Sequence, residues 1–174
     1  MHSRQTFVRQ MASAVLMLSL IGPAAASISQ IVAFGDSLSD NGNLAAKFGG
    51  AVPAVPYFNG RFSNGPVAVE VLATQLGLPL VDYAFGGAQT GTDNMFQSQN
   101  PLVANTGMKA QVTNFTSQLA SSGKAADSAA LYVVWGGGND LLSTLNTPTA
   151  SVINAALTTA VTNLVTDRKS TRLN

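Results

Sequence analysis

Three short blocks of this sequence carry groups suited to acyl transfer. Ser37 stands in Phe34-Gly35-Asp36-Ser37-Leu38-Ser39-Asp40-Asn41-Gly42, directly after the apolar run Ile31-Val32-Ala33-Phe34. Gly86 and Gly87 open the stretch that follows Asp82-Tyr83-Ala84-Phe85, and Asn139 follows Leu131–Trp135 in Gly136-Gly137-Gly138-Asn139-Asp140. A serine hydroxyl can attack a carbonyl, and the oxyanion that then forms is stabilised by donors fixed in advance. The backbone N–H of a glycine and the amide of an asparagine are chemically suited to that task. Taken alone, the Ser37 block reads as readily as a strand followed by a polar turn, with glycine allowing the bend and Asp, Ser and Asn bonding the turn backbone locally. The same glycine-rich ending on three successive strands favours chemistry over a plain turn. In a parallel sheet, the carboxyl ends of the strands are where side chains meet ligand.

The elements that must position these blocks alternate along the chain. Strands are expected over Gln30–Phe34, Leu80–Ala84 and Ala130–Trp135. The last is an almost unbroken apolar run, suited to a sheet covered on both faces. A helix is expected over Pro66–Leu76, where Pro66 suits the first turn, Gly77 the end, and Val67, Val71, Leu72 and Leu76 make one face. A second, over Met108–Leu119, spaces Val112, Phe115 and Leu119 for burial. A third, over Thr149–Thr166, offers a wide stripe of Val152, Ile153, Ala156, Leu157, Ala160, Val161, Leu164 and Val165. Strands alternating with helices indicate βαβ units, a parallel sheet and right-handed crossovers. Asn41–Pro66 and Phe85–Thr106 read as long loops, rich in Gly, Pro, Asn and Ser. Their aromatics Phe48, Tyr57, Phe58, Phe62 and Phe96 either line an acyl or leaving-group pocket near Ser37 or pack the loops onto the domain.

Taken together, the blocks resemble the GDSL family of esterases and lipases, also called SGNH hydrolases after their Ser, Gly, Asn and His. The resemblance runs from about Gln30 to Thr166 and includes Tyr57-Phe58-Asn59-Gly60-Arg61-Phe62-Ser63-Asn64-Gly65-Pro66. It implies that Ser37 is the nucleophile, with its own N–H as one oxyanion donor. Gly87 matches the glycine donor, with Gly86 a close competitor by spacing, and Asn139 in Gly137-Gly138-Asn139-Asp140 matches the amide donor. Asp36 and Asp140 are read as organisers of turns and caps. The implied fold is a flavodoxin-like three-layer α/β/α arrangement around a parallel sheet of about five strands, incomplete here at the C-terminus. The implied activity is ester hydrolysis through an acyl-enzyme on Ser37, with no cofactor and with lipid, acetylated-glycan or small aryl esters as substrates.

The family's fourth block, an Asp-x-x-His supplying base and orienting carboxylate, has no match. The single histidine is His2, and Asp167 is followed at the right spacing by Ser170. A serine without an adjacent base is a poor nucleophile, so the sequence as it stands is expected to be nearly inactive. Residues 167–174 turn abruptly charged and resemble the translation of a sequencing adapter. They are expected to be a non-native tail on the N-terminal part of a hydrolase domain, residues 27–166. Such a piece would leave an unpaired sheet edge and exposed apolar surface, hence a tendency to aggregate. A non-catalytic secreted binding domain, or pseudoenzyme, of the same fold is the competing reading.

Composition narrows the other classes. Met1–Ala26 reads as a secretory signal peptide, with Arg4 and Arg9 before an apolar core and Ala24-Ala25-Ala26 at the cleavage site. That core is shorter than the roughly 20 residues needed to span a bilayer. A secreted or periplasmic bacterial protein is expected, or an outer-membrane one if the gene also encodes an autotransporter barrel. Between residues 27 and 166 there are four basic and seven acidic residues, a net charge of −3, and the basic ones (Lys47, Arg61, Lys109, Lys124) are scattered. Nucleic-acid binding, which rests on clustered basic residues, is disfavoured. With no cysteine anywhere and no histidine after His2, thiol chemistry and a His/Cys zinc site are excluded for this part of the chain. Gly-x-Ser-x-Gly is absent around Ser37, against an α/β-hydrolase. Gly86–Gly91 has the glycine spacing of a phosphate-binding loop, but Thr92 replaces its lysine.

Overall fold

The computed structural model describes residues 27–171, with side chains as far as Asp167. The signal-peptide reading of Met1–Ala26 lies outside the described residues, as does the end of the expected tail.

Three strands, β1 (Ile31–Gly35), β2 (Leu80–Asp82) and β3 (Leu131–Trp135), form one parallel sheet in the order β2-β1-β3. Register pairs Ile31 with Leu80 and with Leu131, and Gly35 with Trp135. The carboxyl ends of β1 and β3 therefore lie side by side. The chain passes from β1 out to β2 and then back across β1 to β3. That reversal around β1 is the kind of switch point where open α/β sheets bind ligands. The elements between and after them are α1 (Asn43–Lys47), α2 (Ala68–Leu76), a 3-10 turn (Pro101–Val103), α3 (Met108–Ser121), α4 (Gly138–Leu142) and α5 (Ala150–Thr171).

Alternation along β1 sends successive side chains to opposite faces, and each face has its own core. Val32 and Phe34 pack with Val112 and Phe115 of α3, joined by Tyr83, Tyr132 and Val134. The Phe34 ring stacks on Tyr83 at 5.4 Å and meets Phe115 edge-on at 5.5 Å. On the other face Ala33 packs with Val67, Val69, Leu80 and Val133. β1 is thus buried throughout between helices on both sides. The fold is an α/β architecture of the expected flavodoxin-like kind, with three strands among the described residues.

Several boundaries and faces differ from expectation. β2 ends at Asp82 rather than Ala84, because the Gly35 N–H that would continue the ladder goes to Gln111 Oε1 at 2.9 Å, while the Asn43 side chain takes the outward Asp82 and Ala84 carbonyls at 3.0 and 2.8 Å. The backbone still follows β1 beyond that point, with the Tyr83 and Phe85 N–H groups donating to Ala33 and Gly35. Helix α2 buries Val69 and Ala73 and leaves Val71 and Leu76 exposed. Val67 precedes the helix in an extended conformation, so it does not set the helical phase, and counting i+4 from it selects the wrong face. β3 is only half-buried and Trp135 is exposed, because β3 is an edge strand among the described residues and not a covered one. α5 continues beyond Thr166 to Thr171.

Candidate active site

The loop after β1 is organised by two carboxylates. Asp36 is buried, and its Oδ1 accepts the Leu38 N–H at 3.0 Å, while its carbonyl accepts those of Ser39 and Asp40. This tight turn leaves Ser37 half-buried at its apex. Burial raises the Asp36 carboxyl above its usual range, the Leu38 N–H opposes that, and the negative charge of Asp140 adds to it. Asp40 is fully buried and accepts four N–H groups: Gly42 at 2.8 Å, Asn43 at 2.6 Å, Leu44 at 3.2 Å and Gly86 at 2.7 Å. One side chain thus caps α1, whose first N–H groups have no partner within the helix, and anchors the Gly86-Gly87 turn beside the Ser37 loop.

Gly87 has φ +81°, a conformation that costs any residue with a Cβ. A Cβ there would also lie 2.6 Å from Asn94 Oδ1 and 2.8 Å from the Phe96 ring, so the site admits only glycine. Asn94 is buried and closes this turn from within: its Nδ2 donates to the Gly86 carbonyl at 2.8 Å and its Oδ1 accepts the Phe96 N–H at 3.0 Å.

Asn139 lies in the first turn of α4 and is buried. Its Nδ2 donates to the Ala88 carbonyl at 2.8 Å, which fixes the amide and leaves its second hydrogen free of any partner among the described residues. Beside it, Asp140 accepts the Thr90 N–H and the Thr90 hydroxyl. The Gly87 and Asn139 loops are therefore bonded to each other, and the Ser37 loop is bonded to Gly86 through Asp40. All three sequence-derived site residues sit at the carboxyl edge of the sheet.

The pattern of committed donors around them is selective. The N–H groups of Leu38, Ser39, Asp40, Gly86 and Ala88 all have acceptors, whereas those of Ser37 and Gly87 have none among the described residues. Buried or half-buried N–H groups are almost always bonded, so two free ones in adjoining loops mark a place prepared for an acceptor.

Sequence reasoning missed Asp40, Thr90, Asn94 and Gln111. Gln111 of α3 is buried and grips Gly35, accepting its N–H and donating to its carbonyl, each at 2.9 Å. Asp40 ahead of Gly42-Asn43 was a readable helix-start signal. Thr90 and Gln111 act across 50 and 76 positions, and no local pattern announces them, whereas Asn94 makes a local turn bond to Phe96 and reaches Gly86 eight positions away. The loop aromatics differ in burial. Phe48 and Phe62 pack on Leu44, Phe85, Ala88 and Val103, whereas Tyr57, Phe58 and Phe96 keep substantial exposure. The Arg61 guanidinium bonds Glu70 through two nitrogens, at 3.2 and 2.6 Å, so the Tyr57–Pro66 segment is tied to α2.

Residues 31–168 match the family described as GDSL-like Lipase/Acylhydrolase. The chain is 37% identical over 119 residues to the phosphatidylcholine-sterol acyltransferase of Aeromonas hydrophila, covering 67% of this chain and 34% of that protein. It is 35% identical over 122 residues to the thermolabile hemolysin of Vibrio parahaemolyticus, covering 67% of this chain and 26% of the other. A GDSL esterase/lipase of Arabidopsis thaliana is 43% identical over 82 residues, 39% of this chain and 20% of its own length. The chain spans about a third or less of the length of these curated relatives.

Proposed function

The chain belongs to the GDSL-like lipase/acylhydrolase family, and from that premise we propose that the whole protein is an exported serine ester hydrolase acting through an acyl-enzyme on Ser37. The observation that carries the reading is the pair of N–H groups at Ser37 and Gly87 without an acceptor among the described residues, in loops at the same strand-end edge as the half-used amide of Asn139. Ser37 Oγ attacks the ester carbonyl, and the three donors hold the oxyanion as it develops. Collapse of that tetrahedral species expels the alcohol and leaves the acyl group on Ser37. Water then attacks the acyl-enzyme, and the acid is released as Ser37 regains its proton. Gly87, not Gly86, is the glycine donor in this scheme, since the Gly86 N–H is taken by Asp40. Export rests on the leader pattern of Met1–Ala26.

The substrate class favoured is an ester with an apolar acyl chain. Leu38 beside the nucleophile and Phe96 against Gly87 are both about half exposed, at 55% and 48%. Two of the similar proteins are named for a phosphatidylcholine-sterol acyl transfer and for hemolysis. A base must accept the Ser37 proton, and among residues 3–174 there is no histidine. The second reading is a binding domain of the same fold that keeps the Ser37 loop without turnover.

Expression of the whole gene product and assay on p-nitrophenyl butyrate separates the two. Hydrolysis that Ser37→Ala abolishes, and that Asn139→Ala lowers on the order of 10²–10³-fold in kcat, is the expected result. An inactive whole protein that still binds the ester with Ser37 intact would favour the binding domain.

A further inference from the structure

Asn139 and Gly87 stand in different loops, 52 positions apart in the sequence, and an oxyanion hole works only if its donors keep a fixed separation. One buried polar cluster joins those two loops. Thr90, three residues past Gly87, has no exposed surface, and Asp140, next to Asn139, is 8% exposed. The Thr90 N–H donates to both Asp140 carboxylate oxygens, at 3.0 and 3.3 Å, and the Thr90 hydroxyl donates to Oδ1 at 2.6 Å. Thr90 Oγ1 in turn accepts from Asn163 Nδ2 of α5 at 3.1 Å. The hydroxyl therefore gives its hydrogen to Asp140 and accepts from Asn163 on one of its two lone pairs.

We propose that Thr90 and Asp140 form a positioning pair that sets the separation of the Gly87 N–H and the Asn139 amide, with Asn163 bracing the pair from α5. Neither residue touches the reacting atoms, so both act through the donors they hold. The chemistry explains the residue types. A carboxylate accepts an N–H and an O–H together, and such charge-assisted bonds are shorter and stronger than neutral ones. A threonine supplies both donors from one residue, so the 90 position is held at two points rather than one. The neighbouring Gln89–Ser143 bond, at 3.2 Å, is exposed and adds little to this bracing.

This inference rests on the assignment of Ser37, Gly87 and Asn139 as the reactive set. The test uses the whole gene product, comparing Thr90→Val, Thr90→Ser and Asp140→Asn with Ser37→Ala. Valine keeps the shape and the backbone N–H of threonine but removes the hydroxyl. Thr90→Val is expected to lower kcat about 10-fold, less than outright loss of a donor, with KM changed under about two-fold. Thr90→Ser, which restores the hydroxyl, should recover most of that kcat, and Asp140→Asn should fall at least as far as Thr90→Val. Melting temperatures measured in parallel separate positioning from folding. A Thr90→Val enzyme with unchanged kcat overturns the proposal. So does a loss that Thr90→Ser fails to rescue, or one that tracks melting temperature across all three variants. Activity that survives Ser37→Ala would instead overturn the assignment of the reactive set itself.

Discussion

The loops at the carboxyl end of β1 and the outer face of α5 are built on opposite principles. Around Ser37 and Gly87, buried polar side chains such as Asp40, Asn94 and Gln111 each bond the backbone of another loop or strand, with every buried side-chain polar atom partnered. α5 packs against α3, α4 and β3, and Ile153, Ala156, Ala160, Asn163, Leu164 and Asp167 are covered, while Val152, Leu157, Val161 and Val165 remain exposed. The site is held by directional bonds that specify one arrangement. The helix is held mainly by apolar contacts that define a face only loosely, with one directional bond from Asn163 to Thr90. Buried polar networks have high stakes, because a removed partner leaves desolvated groups unpaired, whereas an exposed valine can change with little cost.

The largest effect is expected at Asp40. Asp40→Ala leaves the N–H groups of Gly42, Asn43, Leu44 and Gly86 without their acceptor in a fully buried place. At about 1–3 kcal/mol for each desolvated group, and with water reaching some of them, a stability loss of roughly 3–5 kcal/mol follows. Urea unfolding measures it. Asp40→Asn, which keeps one acceptor oxygen, should lose clearly less. Equal stability of Asp40→Ala and the parent would mean that the site is not held as described.

These links also explain what the sequence could and could not convey. β1, β3 and α3 announce themselves through apolar runs and the Val112–Phe115–Leu119 spacing, because burial against a neighbour is a periodic signal. Ser37, Gly87 and Asn139 could be picked out because each ends a strand in a glycine-rich turn. Asp40 could be read as a turn residue but not as the anchor of Gly86, since the bond spans 46 positions. The grip of Gln111 on Gly35 spans 76. The α5 stripe misled for the reverse reason. Valine, alanine and leucine recur there at so many helical positions that composition marks eight residues, and only the geometry of α3 and β3 selects which are covered. Short α1 and α4 carried no periodic signal, having five residues each.

A smaller effect, tied to pH, should appear at Asp82, which links β2 to the Ser37 loop. Its carboxylate accepts the Asn41 N–H at 3.0 Å and the Ala84 N–H at 2.8 Å. Burial nonetheless dominates and raises its pKa to about 7; the two N–H donors pull the other way, and the charges of Asp40 and Glu70 reinforce the rise. A raised carboxyl pKa favours the folded state when protonated, so the contribution is full below about 4 and fades as pH rises through about 7. Melting temperature should therefore fall between about pH 4 and pH 7. Asp82→Asn should flatten that slope. Asp167 of α5, raised by burial to about 6 with Lys109 opposing, would add a shallower component at lower pH that survives Asp82→Asn. A melting temperature that rises over the same window would contradict the assignment of burial as the dominant cause.

The smallest effect should come from the outer face of α5, and it tests the contrast most directly. Val161 is 59% exposed and Val165 is 40% exposed, one helical turn apart, while Ala160 between α5 and its neighbours is 5% exposed. Val161→Lys with Val165→Lys should change unfolding free energy by no more than about 0.5 kcal/mol, as surface substitutions do. Light scattering should show less self-association, because two charges interrupt an apolar patch. Ala160→Leu, by contrast, should cost about 1–3 kcal/mol by overpacking the covered face. If the double lysine variant lost as much stability as Ala160→Leu, the outer face would have to be packed in solution against something, and α5 would then be as specifically held as the loops around Ser37.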